Sequence, residues 1–379
     1  MEPVKLHMEP HTKAKHLILE RYLEGWFPIM SRWNGKIIYL DGFSGSGIYD
    51  SGDPGSPIIA LKVAKEHLLQ DVLQRGDRLF FFIEKDENSY QTLVSVIQKE
   101  FGNMDSAHHI ESLPDNFSVF PVNGDFNVEM KGLLDELESK GRNLAPTFAF
   151  VDPFGYSIDL SLLSRIVSFP KCEVFFTFMV GFLNRFIFAD EHLKPIINTF
   201  GISEERIRLI REIQSEELRE VELGKLLVEI MKSKIPSSAG LYWLSFRILD
   251  KHNRPMYWLV YFTKNTKGMQ VMKDSMFEIG GRGSYKFSDF YFDPLQASVL
   301  DYSEGEEYWI LEAAEYIYKR QKGNTIDIDE LKNFVLLDTP YIYRAKILDK
   351  IEKDGRLSGV FPPKRRRGTY PPGSLLTFV

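Results

Sequence analysis

Apolar runs and amphipathic stretches alternate along the first half of the chain. KIIYLD (36–41), RLFFFIE (78–84), FSVFPVNGD (117–125), PTFAFVDP (146–153) and CEVFFTFMV (172–180) read as strands. They are largely apolar on both faces, as strands covered from both sides are. Between them, 57–69, 87–101, 128–139 and 160–168 read as helices. Strands alternating with helices predict a parallel sheet in an α/β fold. Ahead of them, Ala14, Leu17, Ile18, Tyr22 and Leu23 recur at helical spacing within 12–33. Thr12 is placed to cap that helix, and Pro28 falls where it should bend or end.

The alternation stops at residue 185. Residues 185–235 carry charged helical segments such as ISEERIRLIREIQ and predict a helical insertion. GLYWLSFRIL (240–249) and MYWLVYFT (256–263) then flank the polar DKHNRP, which predicts a β-hairpin. Five parallel strands closed by an antiparallel hairpin give a Rossmann-like sheet over residues 1–300. From 305 to 379 the pattern changes again, with helices at 306–319, 327–334 and 340–353. LSGVF (357–361) and SLLTFV (374–379) follow, paired across PPKRRRGTYPPG. Three helices and a hairpin are the winged-helix layout, with the basic run in the wing.

Charge sharpens this division. The 379 residues carry a net −6, yet Tyr341–Val379 holds nine Lys/Arg against three Asp/Glu. An acidic body with a basic end predicts that a polyanion is met at the C-terminal module. A single cysteine, Cys172, excludes an internal disulfide framework and a cysteine-based zinc site. No stretch reaches the ~20 apolar residues of a membrane helix. The polar MEPVKLHMEPHTKAKH lacks a signal-peptide core, so the cytoplasm is expected.

The candidate chemistry lies at strand ends. Asp41, Gly42, Phe43, Ser44, Gly45, Ser46 and Gly47 follow the first strand as DGFSGSG. Glycines there let a ligand approach the backbone, but no Gly-Lys-Ser/Thr follows, which argues against a nucleoside triphosphate. Glu84, with Lys85 beside it, ends the second strand, where an acid accepts ribose hydroxyls. Asp125 could accept an adenine amino group, and Phe126 could offer it a ring face. Asp152, Pro153, Phe154 and Gly155 end the fourth strand as a stiff ledge. A base could stack on Phe154 while Asp152 or the Pro153 carbonyl accepts from its amino group, aiming the nitrogen lone pair. Each feature alone reads equally well as a cap or turn; their sharing of one rim is the signal.

With its final hairpin, this order looks like a class I S-adenosylmethionine-dependent methyltransferase. LDGFSGSG resembles the D-x-F-x-G-x-G first motif of nucleic-acid amino-methyltransferases. Glu84 matches that superfamily's ribose-binding acid and Asp125 its adenine-side acid. Asp152-Pro-Phe-Gly resembles the D/N-P-P-Y/F ledge of enzymes that methylate exocyclic amines, and the D-P-F-G form of tRNA guanine-N2 methyltransferases; the second proline is missing here. HTKAKHLILERYLEGWFPIM, YLDGFSGSG, GSPIIAL (55–61) and YWLVYFTKNTKGMQVMKDSM (257–276) resemble the three-Cys-motif partner proteins, many of which carry a C-terminal winged helix. These are often encoded beside a protein with a three-cysteine motif, so the resemblance implies a protein partner without fixing a reaction.

Together these readings imply methyl transfer from S-adenosylmethionine to a base amino group, inclining to RNA over DNA. Lys364, Arg365, Arg366, Arg367 and Tyr370 of the wing would contact the nucleic acid. One alternative is a non-catalytic nucleic-acid-binding scaffold for a three-Cys-motif protein; another is methylation of a protein or small molecule. Cys172 is expected in the core. The methylating enzymes that use a cysteine place it directly after the ledge proline, where Phe154 stands. His7, His11, His16, His108 and His109 lack the company of a metal site. The helix carrying Lys15 and His16 is a candidate lid for the cofactor pocket.

Overall fold

A computed structural model of the chain describes residues 8–32, 35–153, 158–236, 239–280, 285–288, 299–362 and 365–379. The elements begin with α1 (Pro10–Ser31), β1 (Ile37–Asp41), α2 (Ser56–Glu66), α3 (Gln70–Leu73), β2 (Arg78–Glu84), α4 (Glu87–Phe101), β3 (Phe117–Asn123) and α5 (Phe126–Ser139). They continue through β4 (Thr147–Val151), α6 (Leu160–Ser168), β5 (Glu173–Phe178), α7 (Val180–Phe186), α8 (Asp190–Phe200), α9 (Glu204–Arg211) and α10 (Glu216–Lys232). After these come β6 (Tyr242–Leu249), β7 (Pro255–Thr263), α11 (Thr266–Ile279), β8 (Lys286–Ser288), α12 (Val299–Gln321), β9 (Thr325–Asp327), α13 (Ile328–Asp338), α14 (Ala345–Lys353), β10 (Leu357–Val360) and β11 (Leu375–Phe378).

The central sheet has the order β3-β2-β1-β4-β5-β7-β6-β8. β1 to β5 pair in parallel, and β7 runs antiparallel to both β5 and β6. This is an α/β fold with a mostly parallel sheet. The chain leaves β1 toward β2 on one side and returns to β4 on the other, so strand order reverses there. Ligands of open α/β sheets bind at the carboxyl ends of the strands at such a reversal.

The sheet's two faces are packed differently. On one, α5, α6 and α10 contribute Met130, Leu163 and Leu227 to a core with Val151, Phe176 and Val260. On the other, aromatic rings dominate. Tyr22 and Trp26 of α1 meet Phe148 at 4.7 and 5.8 Å between ring centres, and Phe27 meets Phe80 at 5.9 Å. Much of the chain's phenylalanine thus lies in the core. β3 forms one free edge of the sheet, where Pro121 withholds a donor from any strand that would add to it.

The helix read at 12–33 begins at Pro10 with Glu9 as its N-cap, so Thr12 lies inside it. Pro28 does not end it; α1 runs on to Ser31. Proline lacks the N–H that would bond Glu24 O one turn back. His67 Nε2 donates to that carbonyl instead, at 2.9 Å, so the interruption leaves it paired. Aspartates and serines start other helices. Asp86 caps α4, Asp159 caps α6, Ser203 caps α9 and Asp327 caps α13. The helix read from Pro340 starts only at Ala345, because Tyr341 N bonds the Thr339 hydroxyl in a turn.

The chain divides into two compact units, Met1–Met272 with Phe287–Phe290, and Lys273–Lys286 with Tyr291–Val379. The division falls inside α11, earlier than the boundary near 300 read from the sequence. The second unit holds a three-stranded antiparallel sheet, β10-β11-β9, around a core that includes Trp309, Leu331, Ile347 and Phe378. Lys273 is buried within it. Its ammonium donates to Val335 O, Leu336 O and Thr339 O, each at 2.7 Å, and so closes the C-terminal turn of α13. Burial brings the ammonium down to about 7.

Candidate functional site

The loop after β1 is tied to the strands on either side. Gly42 N donates to Phe150 O of β4 at 2.9 Å, and Ser44 N to Ile83 O of β2 at 3.0 Å. Gly47 has φ +72°, and a Cβ there would stand 2.7 Å from Leu93 Cδ1, so both conformation and space call for glycine. From Gly47 the chain turns out and back. Ile48 pairs with Pro54, and Gly55 N donates to Gly47 O at 2.8 Å. α2 then begins at Ser56, with a proline in its first turn. GSPIIAL is thus the return of the loop and the start of its helix.

Asp41 lies beneath the loop with no solvent exposure. Its carboxylate accepts from Phe43 N at 3.3 Å and from the Tyr39 hydroxyl at 3.5 Å. Burial pushes it up to about 7; the Ser56 hydroxyl and Phe43 N–H oppose this, and Asp152 and Glu84 add to it. Glu84 is engaged at both oxygens. Oε2 accepts from Gly45 N and Oε1 from Asp86 N, each at 2.8 Å. A carboxylate oxygen takes more than one donor, so Glu84 keeps capacity for a diol.

Asp125 caps α5, accepting from Asn127 N at 2.9 Å and Val128 N at 3.3 Å, while its other oxygen accepts from Lys85 Nζ at 3.0 Å. Burial works against its ionised form, but Lys85 and the helix N–H groups prevail and lower its pKa. Phe126 is buried and its ring lies 5.5 Å from that of Phe43. Its edge fills the space a side chain at Gly42 would need, 2.5 Å from an added Cβ. Phe126 therefore packs beneath the loop.

Asp152 has a partner from far away in the chain. Lys15 Nζ of α1 donates to its Oδ2. Burial alone would raise Asp152, yet Lys15 holds its pKa below the usual carboxylate value. His16, also buried, is brought down to about 3, by burial first and Lys15 second. Its Nδ1 has no partner among the described residues, and its ring lies 5.7 Å from Tyr49. Tyr49 is raised by burial and then by Asp152 and Asp41, which marks it as a neighbour of both acids. The sequence reading did not single out Tyr49; two residues past Gly47 in a polar loop, an aromatic was the available signal. Pro153 is buried. Phe154 and Gly155 lie outside the described residues, as do His7 and Lys364.

In the second unit, the basic run divides. Arg365 donates through both Nη atoms to Glu352 and through Nε to Thr369 O at 2.8 Å. Its guanidinium lies 3.6 Å from the centre of the Phe361 ring. Tyr370 is buried, and its hydroxyl donates to Glu352 at 2.6 Å. Arg365 and Tyr370 therefore fasten the β10–β11 segment to α14. Arg366 and Arg367 are exposed.

Cys172 is buried and its thiol is pushed up to about 11 by burial, a core thiol and not a nucleophile. Among the described residues no group of three His, Cys, Asp or Glu is placed to hold a metal ion. None of their helices is long and apolar enough to cross a membrane.

No family model matches the chain, and no curated protein matches it. Among solved structures, it is similar to protein LPL1258 from Legionella pneumophila, assigned to the family model DUF519. The two are 14% identical with a TM-score of 0.36, over 68% of this chain and 85% of the other. A likeness that loose decides neither fold nor function.

Proposed function

We propose that this chain is an S-adenosylmethionine-dependent methyltransferase of Rossmann-like, class I type, acting on an exocyclic amino group of a nucleic-acid base, in RNA before DNA. The observation that carries the reading is the rim itself. Asp41, Glu84, Asp125 and Asp152 end or closely follow four adjacent strands, β1, β2, β3 and β4, around the point where strand order reverses, and β7 lies reversed between β5 and β6. The residues present fit the cofactor. Gly47 supplies a turn that glycine adopts without strain, Glu84 keeps acceptor capacity for a diol, and Asp41, Glu84 and Asp152 give an anionic surrounding to a cation.

S-adenosylmethionine supplies a methyl group activated on a sulfonium. The Asp41–Gly47 loop would hold its amino-acid portion, Glu84 its ribose, and Lys85, Asp125 and Phe126 would border its adenine. Asp152 would accept a hydrogen bond from the target amino group and direct its lone pair; an ionised carboxylate suits that task, and Lys15 keeps it ionised. α1, with Lys15 and His16, would keep water from the reacting groups. The Asp152–Gly155 ledge would align the base, and alignment is the main contribution asked of the protein.

Calorimetric titration with S-adenosylmethionine and its demethylated product tests the reading. Wild type is expected to bind in the micromolar range, and Glu84→Ala to bind at least about tenfold more weakly. Absence of binding by a folded wild type would discard the stand-alone enzyme. A labelled-methyl screen over RNA and DNA then asks for the substrate.

The second unit, in the order α12-β9-α13-α14-β10-β11, is proposed as a winged helix that grips the nucleic acid. Arg366 and Arg367 are its phosphate contacts, and Arg365 and Tyr370 position them. Replacing Arg366 and Arg367 by alanine is expected to flatten the salt dependence of binding by about 2 in log–log slope. Arg365→Ala is expected instead to lower the melting temperature. An unchanged slope in the double variant would remove the wing from the interface.

A scaffold role for a three-Cys-motif protein is the second reading. It is favoured by one observation: Asp152 and Glu84 already have internal partners. A wild type that binds nucleic acid but neither cofactor form would support it.

A further inference from the structure

A cavity of about 320 Å³ opens at the opposite edge of the sheet, where β5 begins and β7 ends. Glu173 forms its floor and is 6% exposed. The Tyr22 hydroxyl donates to Oε2 at 2.5 Å, and the Thr263 hydroxyl to Oε1 at 2.8 Å. The hydroxyls of Tyr22 and Tyr261 are 2.7 Å apart and join the same network. All these donors are neutral. Among the described residues no cation pairs with this carboxylate. Lys264, which feels its charge, has its ammonium on Val167 O and on Phe169 O at the end of α6.

Burial raises the Glu173 pKa against these neutral donors, so its ionised form lacks a compensating charge, which a bound cation would supply. Around it the cavity is suited to a cation. Tyr22 and Trp26 present aromatic rings, and the buried Trp26 indole N–H favours the ionised Glu173 without reaching full hydrogen-bonding geometry. Ile29, Met30 and Val271 give an apolar wall between floor and mouth. Gly268 keeps the floor open: a Cβ there would stand 2.4 Å from Glu173 Oε1. At the mouth the sign reverses, with Arg32 and Lys171 beside Asn265. A simple cation would be repelled on entry; a molecule with a positive head and a negative tail would be met correctly at both ends.

We infer that this cavity binds a small zwitterionic amine, its ammonium against Glu173 and the Tyr22 and Trp26 rings, its methylenes along Ile29 and Met30, and its anionic end at Arg32. The size agrees, since ligand cavities begin at roughly 300 Å³. The inference is independent of the methyltransferase reading, because no residue of the cavity belongs to the rim at the other edge.

The test is calorimetry and thermal denaturation of the full chain with γ-aminobutyrate, δ-aminovalerate and ε-aminocaproate, with butylamine and caproate as single-charge controls. At least one amino acid is expected to bind with a Kd below about 1 mM and to raise the melting temperature. Glu173→Gln should weaken it at least about tenfold, and Arg32→Ala should weaken the amino acid while strengthening butylamine, which Arg32 repels. Met30→Trp, which fills the half-buried wall without touching the Glu173 network, should abolish binding even if Glu173→Gln fails to fold. No binding by wild type, or equal binding by wild type and Met30→Trp, overturns the inference. S-adenosylmethionine titrated into the same samples reports the other edge separately.

Discussion

Asp41→Asn is expected to be more stable than wild type at pH 8 and equal to it near pH 3. Asp41 is fully buried, and burial raises it from 3.8 to about 7. The sign follows from proton counting. Between these values the folded chain holds a proton that the unfolded chain has released, so wild-type stability falls as pH rises through that window. Above about pH 7 the full cost of the buried charge is present. At 1.36 kcal/mol per pKa unit that cost is on the order of 4 kcal/mol. Asparagine keeps an oxygen for the Phe43 N–H and carries no charge to bury, so the variant's stability should be flat over the same range. Melting curves from pH 3 to 8 for both proteins make the measurement; parallel curves would show that Asp41 is not the group responsible. Such a gain is expected to weaken cofactor binding, the common exchange of activity for stability at a strained site. By the same logic, wild-type affinity for S-adenosylmethionine should rise with pH through about 7, as Asp41 ionises.

Lys15→Met carries the second large effect. The Lys15 side chain is 8% exposed and that of Asp152 26%. Removing one member of a buried pair leaves the other charge uncompensated, at a cost of about 3–5 kcal/mol for full burial and less for a partner as open as Asp152. The loss should be greatest above pH 5. It should shrink in acid, because the pair's contribution depends on an Asp152 whose folded pKa lies below its unfolded value, and that contribution disappears as pH falls through the folded pKa. The double variant with Asp152→Asn should recover much of it. A coupling below about 0.5 kcal/mol in that cycle would mean that the contact carries no energy. In the functional reading Lys15 keeps Asp152 ionised for the amino group, so Lys15→Met should also lower kcat.

The parts of this molecule that could be read from sequence are those fixed over short distances. RLFFFIE, ENSYQTLVSVIQKEF and LSLLSRIVS became β2, α4 and α6 at the expected bounds, because each carries its own periodicity and cap. The strand-end acids stood out for the same reason. What escaped were relations across the fold. Lys15 and Asp152 are 137 residues apart, and no local pattern joins them. Arg365 looks like Arg366 and Arg367 until Glu352, thirteen residues earlier, turns it inward. Pro28 reads as a bend or an end until His67 supplies the missing donor. Asp125 and Phe126 were read for an adenine; that Phe126 also fills the space beside Gly42 could not be seen locally. α11 has no counterpart in the sequence reading, although TKGMQVMKDSM has helical spacing.

The ammonium of Lys273 has a practical consequence for anyone who would dissect the molecule. The sequence invites a cut near residue 305, which would free the basic end for binding studies. A piece beginning there lacks Lys273, and the carbonyls of Val335, Leu336 and Thr339 lose the one group that gathers them. The final turn of α13 would fray, and weak binding by such a fragment would report a missing clasp, not a missing affinity. A fragment that begins ahead of Thr266 carries α11 whole and keeps it.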